Sequence, residues 1–319
     1  DQTSNAGRIR TSIIRRILGL FFLFSLVLLA IVLLGNYIRV SGSNEQVPEF
    51  LPGEEIGTLE KEKITEASGM ASSRKNRGIL WVHNDSGDSA NIYAIKSDGE
   101  LIETFRIKKA DSRDWEDIAI GPGPEKEVDY LYIGDIGDNS ADYSSITVYR
   151  IEEPNLETSR DDTKIGPADE IKLEYPDGPK DAETLLVDPL NGDIYIITKN
   201  RSFGMVYLAS FPQDTDKKTR LEFVTTIPLA MATGGDISPD GELVIVRALN
   251  SAGLWKRPAD EKLWKAFSAE PVWLDLIDEP QGEAICFDAE GNGFYTLSEM
   301  KHAEIYYFGL SSAPEKQSP

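Results

Sequence analysis

The chain has one cysteine, Cys286, and two histidines, His83 and His302, in 319 residues. A lone cysteine excludes an intramolecular disulfide. With so few thiols and imidazoles, a zinc centre has no ligand set to draw on. Basic residues are also scarce, 33 against 54 acidic ones, for a net charge of −21. A surface of that sign repels phosphate backbones, so no nucleic-acid partner is expected; it suits cations, basic partners or plain solubility. The sequence holds no Gly-x-Ser-x-Gly elbow, phosphate loop or dinucleotide fingerprint. Cys286 lies in the apolar stretch Ala284-Ile285-Cys286-Phe287 and reads as a small buried hydrophobe.

Long apolar runs are absent too, except for one. Residues 17–38 carry no charge and are rich in Leu, Ile, Val and Phe, enough for a helix to cross about 30 Å of hydrocarbon. Arg8, Arg10, Arg15 and Arg16 precede the run, and Arg39 alone follows closely. The basic flank predicts a cytoplasmic segment 1–16 and a single-pass signal anchor 17–38 in the cell membrane, with the rest of the chain outside. A cleaved signal peptide is the competing reading, but no Ala-x-Ala site follows. Residues 39–55 read as a linker, 56–310 as the folded domain and 311–319 as a disordered tail.

The folded part repeats itself. Five segments begin with polar, mostly acidic residues and then turn apolar: Glu66-Ala67-Ser68-Gly69-Met70, Asp114-Trp115-Glu116-Asp117-Ile118, Asp181-Ala182-Glu183-Thr184-Leu185, Thr233-Gly234-Gly235-Asp236-Ile237 and Gln281-Gly282-Glu283-Ala284-Ile285. Their centres are 48, 67, 52 and 48 residues apart, and Glu152–Glu170 in the long interval reads as a surface insertion. Each start is followed by a turn and a β-rich run, as in Ile79–Val82 and Tyr130–Ile133, and then by a further strand. Short strands recurring about every fifty residues predict an all-β propeller of four-stranded blades. Five blades is the direct count; a sixth, hidden in 117–183 or 204–232, is the alternative. The last repeat is one strand short, so Gly57–Ile64 is expected to supply its outer strand and close the ring.

In a propeller the innermost strands line the central channel. The acidic starts should therefore gather Glu66, Asp114, Glu116, Asp117, Asp181, Glu183, Asp236 and Glu283 at one mouth as metal ligands. Asn84, Asp135, Lys199, Arg247 and Glu299, where second strands end, are further ligand candidates. Clustered carboxylates need a cation, a basic neighbour or protons. A hard ion with oxygen ligands, Ca2+ above all, suits them. Capping of backbone amides on the next blade is the competing use for the same side chains. His83 with Asp85 is the one candidate catalytic pair, as a general base; a hydrogen-bonded structural histidine is the alternative.

The strings WVHNDSGDSANIYAI, DWEDIAIGP, LYIGDIGDN, YPDGPKDAETLLVDP, TGGDISPDG and QGEAI resemble a largely uncharacterised group of bacterial secreted or membrane-attached propellers, over most of 64–309. More distantly, the acidic starts look like those of phytase-like and gluconolactonase-like propellers. That likeness implies calcium in the channel and, in some members, phosphoester or lactone hydrolysis; no complete catalytic set matches. Two functions follow as expectations. One is a membrane-anchored binding module or scaffold for an envelope protein or small-molecule ligand. The other is a Ca2+-dependent hydrolase of a phosphoester, ester or lactone.

Overall fold

The computed structural model describes residues 47–60, 63–158 and 163–311. The expected anchor 17–38, its basic flank, residues 39–46 of the linker and 312–319 of the tail lie outside them. Among the described residues no helix is long and apolar enough to cross a membrane.

The strands assemble into five sheets, one per repeat. Blade I is Ala67–Ser72, Ile79–Asn84, Asn91–Lys96 and Leu101–Ile107; blade II is Trp115–Pro122, Asp129–Asp135, Ile146–Glu152 and Asp169–Glu174. Blade III is Ala182–Val187, Ile194–Thr198, Gly204–Ala209 and Glu222–Ile227; blade IV is Gly234–Ile237, Leu243–Arg247, Ser251–Lys256 and Val272–Asp275. Blade V takes Gly282–Phe287, Gly293–Ser298 and Glu304–Gly309 from the end of the chain and its outer strand, Glu54–Thr58, from the start. The first strand of each blade packs on the first strands of both neighbours, which closes the five into a ring.

Burial falls from the axis outward. The inner strands of blades I, III and V are buried throughout, whereas the outer strands Glu222–Ile227 and Val272–Asp275 are largely exposed. The apolar side chains form five clusters, one in each seam between blades. Trp81, Phe105 and Trp115 fill the seam of I and II, and Tyr132, Tyr175 and Tyr207 that of II and III. Tyr195, Trp255 and Phe267 join III to IV, and Phe287, Phe294 and Phe308 join IV to V. Cys286 is buried in the last seam, V to I, with Met70 and Leu80, where its sulfur meets Ser72 Oγ at 3.5 Å.

The intervals suspected of hiding a sixth blade instead add a short parallel strand to a blade already counted. Lys164–Ile165 lies along the outer strand of blade I, and Thr219–Arg220 along that of blade II. The ring closes as expected, but with Glu54–Thr58 rather than Gly57–Ile64. The stretch after Thr58 leaves the sheet because Leu59 and Ile64 are plugs, 1% and 2% exposed, in the seam of V and I. The closing strand also docks on blade I, where Thr58 donates its amide to Asp98 O at 3.2 Å. Gly99 makes room for that contact: its φ of +92° and its close approach to the Thr58 carbonyl both exclude a side chain.

Candidate functional site

Each inner strand begins at the same mouth of the channel, and four of the five begin with a bulge. In blade I the pairing passes from Ala67 to Gly69, in II from Trp115 to Asp117, in III from Ala182 to Thr184 and in V from Gly282 to Ala284. The residues skipped are Ser68, Glu116, Glu183 and Glu283. A bulged residue has no cross-strand partner and its side chain is re-aimed. Blade IV pairs Gly234, Gly235 and Asp236 without a break. Backbone bonds beyond the bulges hold the flanking acidic groups in place. Asp85 N donates to Glu66 O, Gly137 N to Asp114 O, Lys199 N to Asp181 O and Glu299 N to Gln281 O, at 2.7–3.2 Å.

The mouth therefore collects Glu66, Asp85, Asp114, Glu116, Asp181, Glu183, Glu283 and Glu299, with Lys199 ion-paired to Glu183 and Arg113 beside Asp114. Glu116 is the most confined, 4% exposed, and no donor among the described residues reaches its carboxylate. Burial, and then the like charge of Glu183, push its pKa far above the usual carboxylate range. Glu183 is raised by burial despite Lys199, and its Oε2 is buried without a partner. Asp85 is pushed up to about 6 by burial. Glu299 is raised by burial and then by Glu283. Burial is the larger cause of these shifts and repulsion between neighbouring carboxylates the smaller one.

Asp85, Asp114 and Glu116 each offer an oxygen, and the three atoms lie within 4.8 Å of one another. Ca2+ bonds oxygen at about 2.3–2.6 Å, so ligands on opposite sides of one ion stand about 5 Å apart. The donor set therefore fits a hard divalent ion. Gly137 presses on this trio from blade II: a Cβ there would overlap Glu116 Oε1 and Asp114 Oδ2. Asp135 supports it, accepting the Asp114 amide at 2.9 Å with Arg113 Nε 3.7 Å away.

Several residues expected at the site are used elsewhere. Asp117 accepts the amides of Ile118 and, on blade III, Leu185, both at 2.9 Å. Asp236 does the same for Ile237 and, on blade V, Phe287, at 2.8 and 2.9 Å. These two are blade-to-blade amide caps, not ring members; burial still drives Asp236 up to about 7. Asn84 folds the segment before blade I, accepting from Thr65 N and Glu66 N and donating to Lys63 O. Arg247 is fully buried against Glu279, with Nη2 2.6 Å from Oε2, and spends its other donors on Ala248 O, Leu249 O and Ala284 O. Glu279 already balances the charge it presents toward Glu283.

His83 makes no hydrogen bond with Asp85 among the described residues. It is sealed between blades, edge-on to Trp115 at 5.7 Å, with Nδ1 2.9 Å from Asn84 O. Burial lowers its pKa to about 4. Its Nε2 is buried without a partner, and its low pKa and lack of exposure match the structural alternative better than a general base open to substrate.

Sequence reasoning missed Glu279, the partner of Arg247, and Gly137, the wall of the trio. Neither carries a signal, because Glu279 lies ahead of the repeated start and Gly137 gains its role only when blade II folds over.

No family model matches the chain, and no curated protein matches it. Among the solved structures that align, two do so as follows. Kuenenia stuttgartiensis hydrazine synthase matches at 12% identity and TM-score 0.37, over 75% of this chain and 57% of that one. The Dos1 propeller matches at 11% identity and TM-score 0.37, over 77% of this chain and 68% of its own. The present chain thus spans little more than half of the hydrazine synthase chain. The five-bladed propeller rests on its own strand order and seams.

Proposed function

We propose that this chain is a tethered binding propeller whose channel mouth holds a hard divalent cation, Ca2+ first among them, and presents it to a ligand. The supporting observation is the carboxylate of Glu116, a residue only 4% exposed, which no donor among the described residues reaches and which lies beside Asp85 and Asp114. A carboxylate in that setting is costly unless a cation joins it. Three protein oxygens leave part of a Ca2+ shell of about 6–8 ligands open to water or to a bound molecule. The tether is the apolar run 17–38, on the strength of its length and basic flank.

The test is calorimetric titration of the full chain in detergent with Ca2+ and with Mg2+. One Ca2+ per chain, lost in Asp114→Asn and Glu116→Gln, is the expected result. Equal heats from the wild type and both variants would remove the reading. The tether is tested by alkaline extraction of membranes, in which the chain stays with the pellet if 17–38 spans the bilayer.

A further inference from the structure

The mouth that gathers the carboxylates also carries large apolar side chains in solvent. Strand direction alternates within each blade, so the loops entering inner strands and the loops joining second to third strands leave one face. On those loops Tyr143, Phe203, Met231 and Leu249 are 38–45% exposed. Each loop is tied to the mouth. Tyr143 N binds Asp138, whose own amide binds Asp181 Oδ1 at 2.9 Å. Met231 N donates to Asn200 O at 2.7 Å, next to Lys199 and on the loop that carries Phe203. The Leu249 carbonyl abuts Gly282, next to Glu283.

The carboxylates on the other side of the mouth have no basic partner. With an ion among Asp85, Asp114 and Glu116, and Lys199 on Glu183, the carboxyls of Glu66, Glu283 and Glu299 are left with no ion pair among the described residues; Gln281 Nε2 donates to both Glu283 and Glu299. Glu183, 5% exposed, still has Oε2 free of any partner, facing Glu283 and Glu116. Charge lies toward blades V and I, and apolar surface toward blades II to IV. An occupant that satisfies both has to cross the mouth, which suits a stretch of polypeptide better than a small amine.

We propose that the mouth docks a basic segment of a partner protein, with a lysine or arginine side chain among Glu183, Glu283 and Glu299 and flanking apolar side chains on Tyr143, Phe203, Met231 and Leu249. The proposal rests on the reading of this mouth as a binding face, and not on which ion it holds.

Selection of a random dodecapeptide library on the full chain in detergent, with Ca2+ and with chelator, is the test. The enriched peptides should carry Lys or Arg flanked by aromatic or aliphatic residues. Their affinity should fall about tenfold, some 1.4 kcal/mol, in Glu283→Gln/Glu299→Gln and again in Met231→Ser/Leu249→Ser. It should also weaken with salt. No enrichment, a neutral or acidic consensus, or affinities that ignore both double variants would overturn the proposal. So would preferential binding of free arginine or a polyamine that the rim variant leaves unchanged. Ca2+ titration of the Met231→Ser/Leu249→Ser variant separates the two readings. Ca2+ binding without a peptide consensus defeats the docking alone, and a basic consensus without Ca2+ binding defeats the ion alone.

Discussion

Replacing Glu116 by glutamine should stabilise the cation-free protein at neutral pH and remove its response to Ca2+. Glu116 has an ordinary pKa of 4.5, and burial with Glu183 beside it raises the folded-state value past neutrality. A carboxyl raised on folding contributes its full stability below 4.5 and loses it as the pH climbs toward the folded value. Each pH unit in that window is worth about 1.4 kcal/mol, so at pH 7.5 the loss is bounded at about 4 kcal/mol. Glu116 and Glu183 share the repulsion, and halving the bound gives about 2 kcal/mol. Glutamine keeps the shape and cannot ionise. Urea unfolding followed by tryptophan fluorescence in chelator should therefore place Glu116→Gln about 2 kcal/mol above wild type at pH 7.5 and level with it near pH 4.5. Saturating Ca2+ should reverse the order, because an ion at a hundred times its Kd adds about 2.7 kcal/mol to the wild type alone. A variant less stable than wild type in chelator at pH 7.5, with neither protein answering Ca2+, would refute the reasoning.

Gly137→Ala should lower Ca2+ affinity about tenfold or more in calorimetry while circular dichroism stays that of the wild type, since the added methyl displaces Asp114 and Glu116. Arg247→Met leaves Glu279 buried without its counter-ion and should cost about 3–5 kcal/mol in urea unfolding, with Ca2+ affinity unchanged in the folded fraction. Asp236→Asn loses one of two amide bonds and should be less stable at pH 4 by about 1–2 kcal/mol. Asp236 is raised from 3.8 to about 7, so its contribution in the wild type drains away as the pH rises through that window. Nearly three pH units at about 1.4 kcal/mol each exceed that gap, so the order of the two proteins should reverse between pH 4 and pH 7, as read from urea midpoints.

Repetition makes the ring legible in the sequence. The five acidic starts mark the five inner strands, and a last repeat short of a strand demands one from the other end of the chain. The closing strand was displaced by a few residues because Leu59 and Ile64 have strand-like spacing yet act as seam plugs. At the mouth, the residue types were legible and their directions were not. Glu116 and Asp117 are neighbours with similar chemistry, but the bulge turns one into the channel and leaves the other on the Leu185 amide. No local sequence signal marks that bulge. Asp236 has the same acidic-then-apolar setting and no bulge, so it caps Phe287 instead. Asp85 entered as a possible partner of His83 and belongs with Asp114 and Glu116, a meeting that depends on how blades I and II face each other. Arg247 read as a channel cation because nothing in its neighbourhood announces Glu279, 32 residues on.

The most direct test of the cation site uses Trp115, which lies between Asp114 and Glu116 in the chain and is 1% exposed. Tb3+, a hard oxygen-seeking ion, takes Ca2+ sites and emits when a nearby indole is excited. With the full chain, excitation of tryptophan should produce Tb3+ emission that Ca2+ competes away and that falls several-fold in both Trp115→Phe and Asp114→Asn. Emission that is absent, or that survives both substitutions undiminished, would contradict an ion held by Asp85, Asp114 and Glu116.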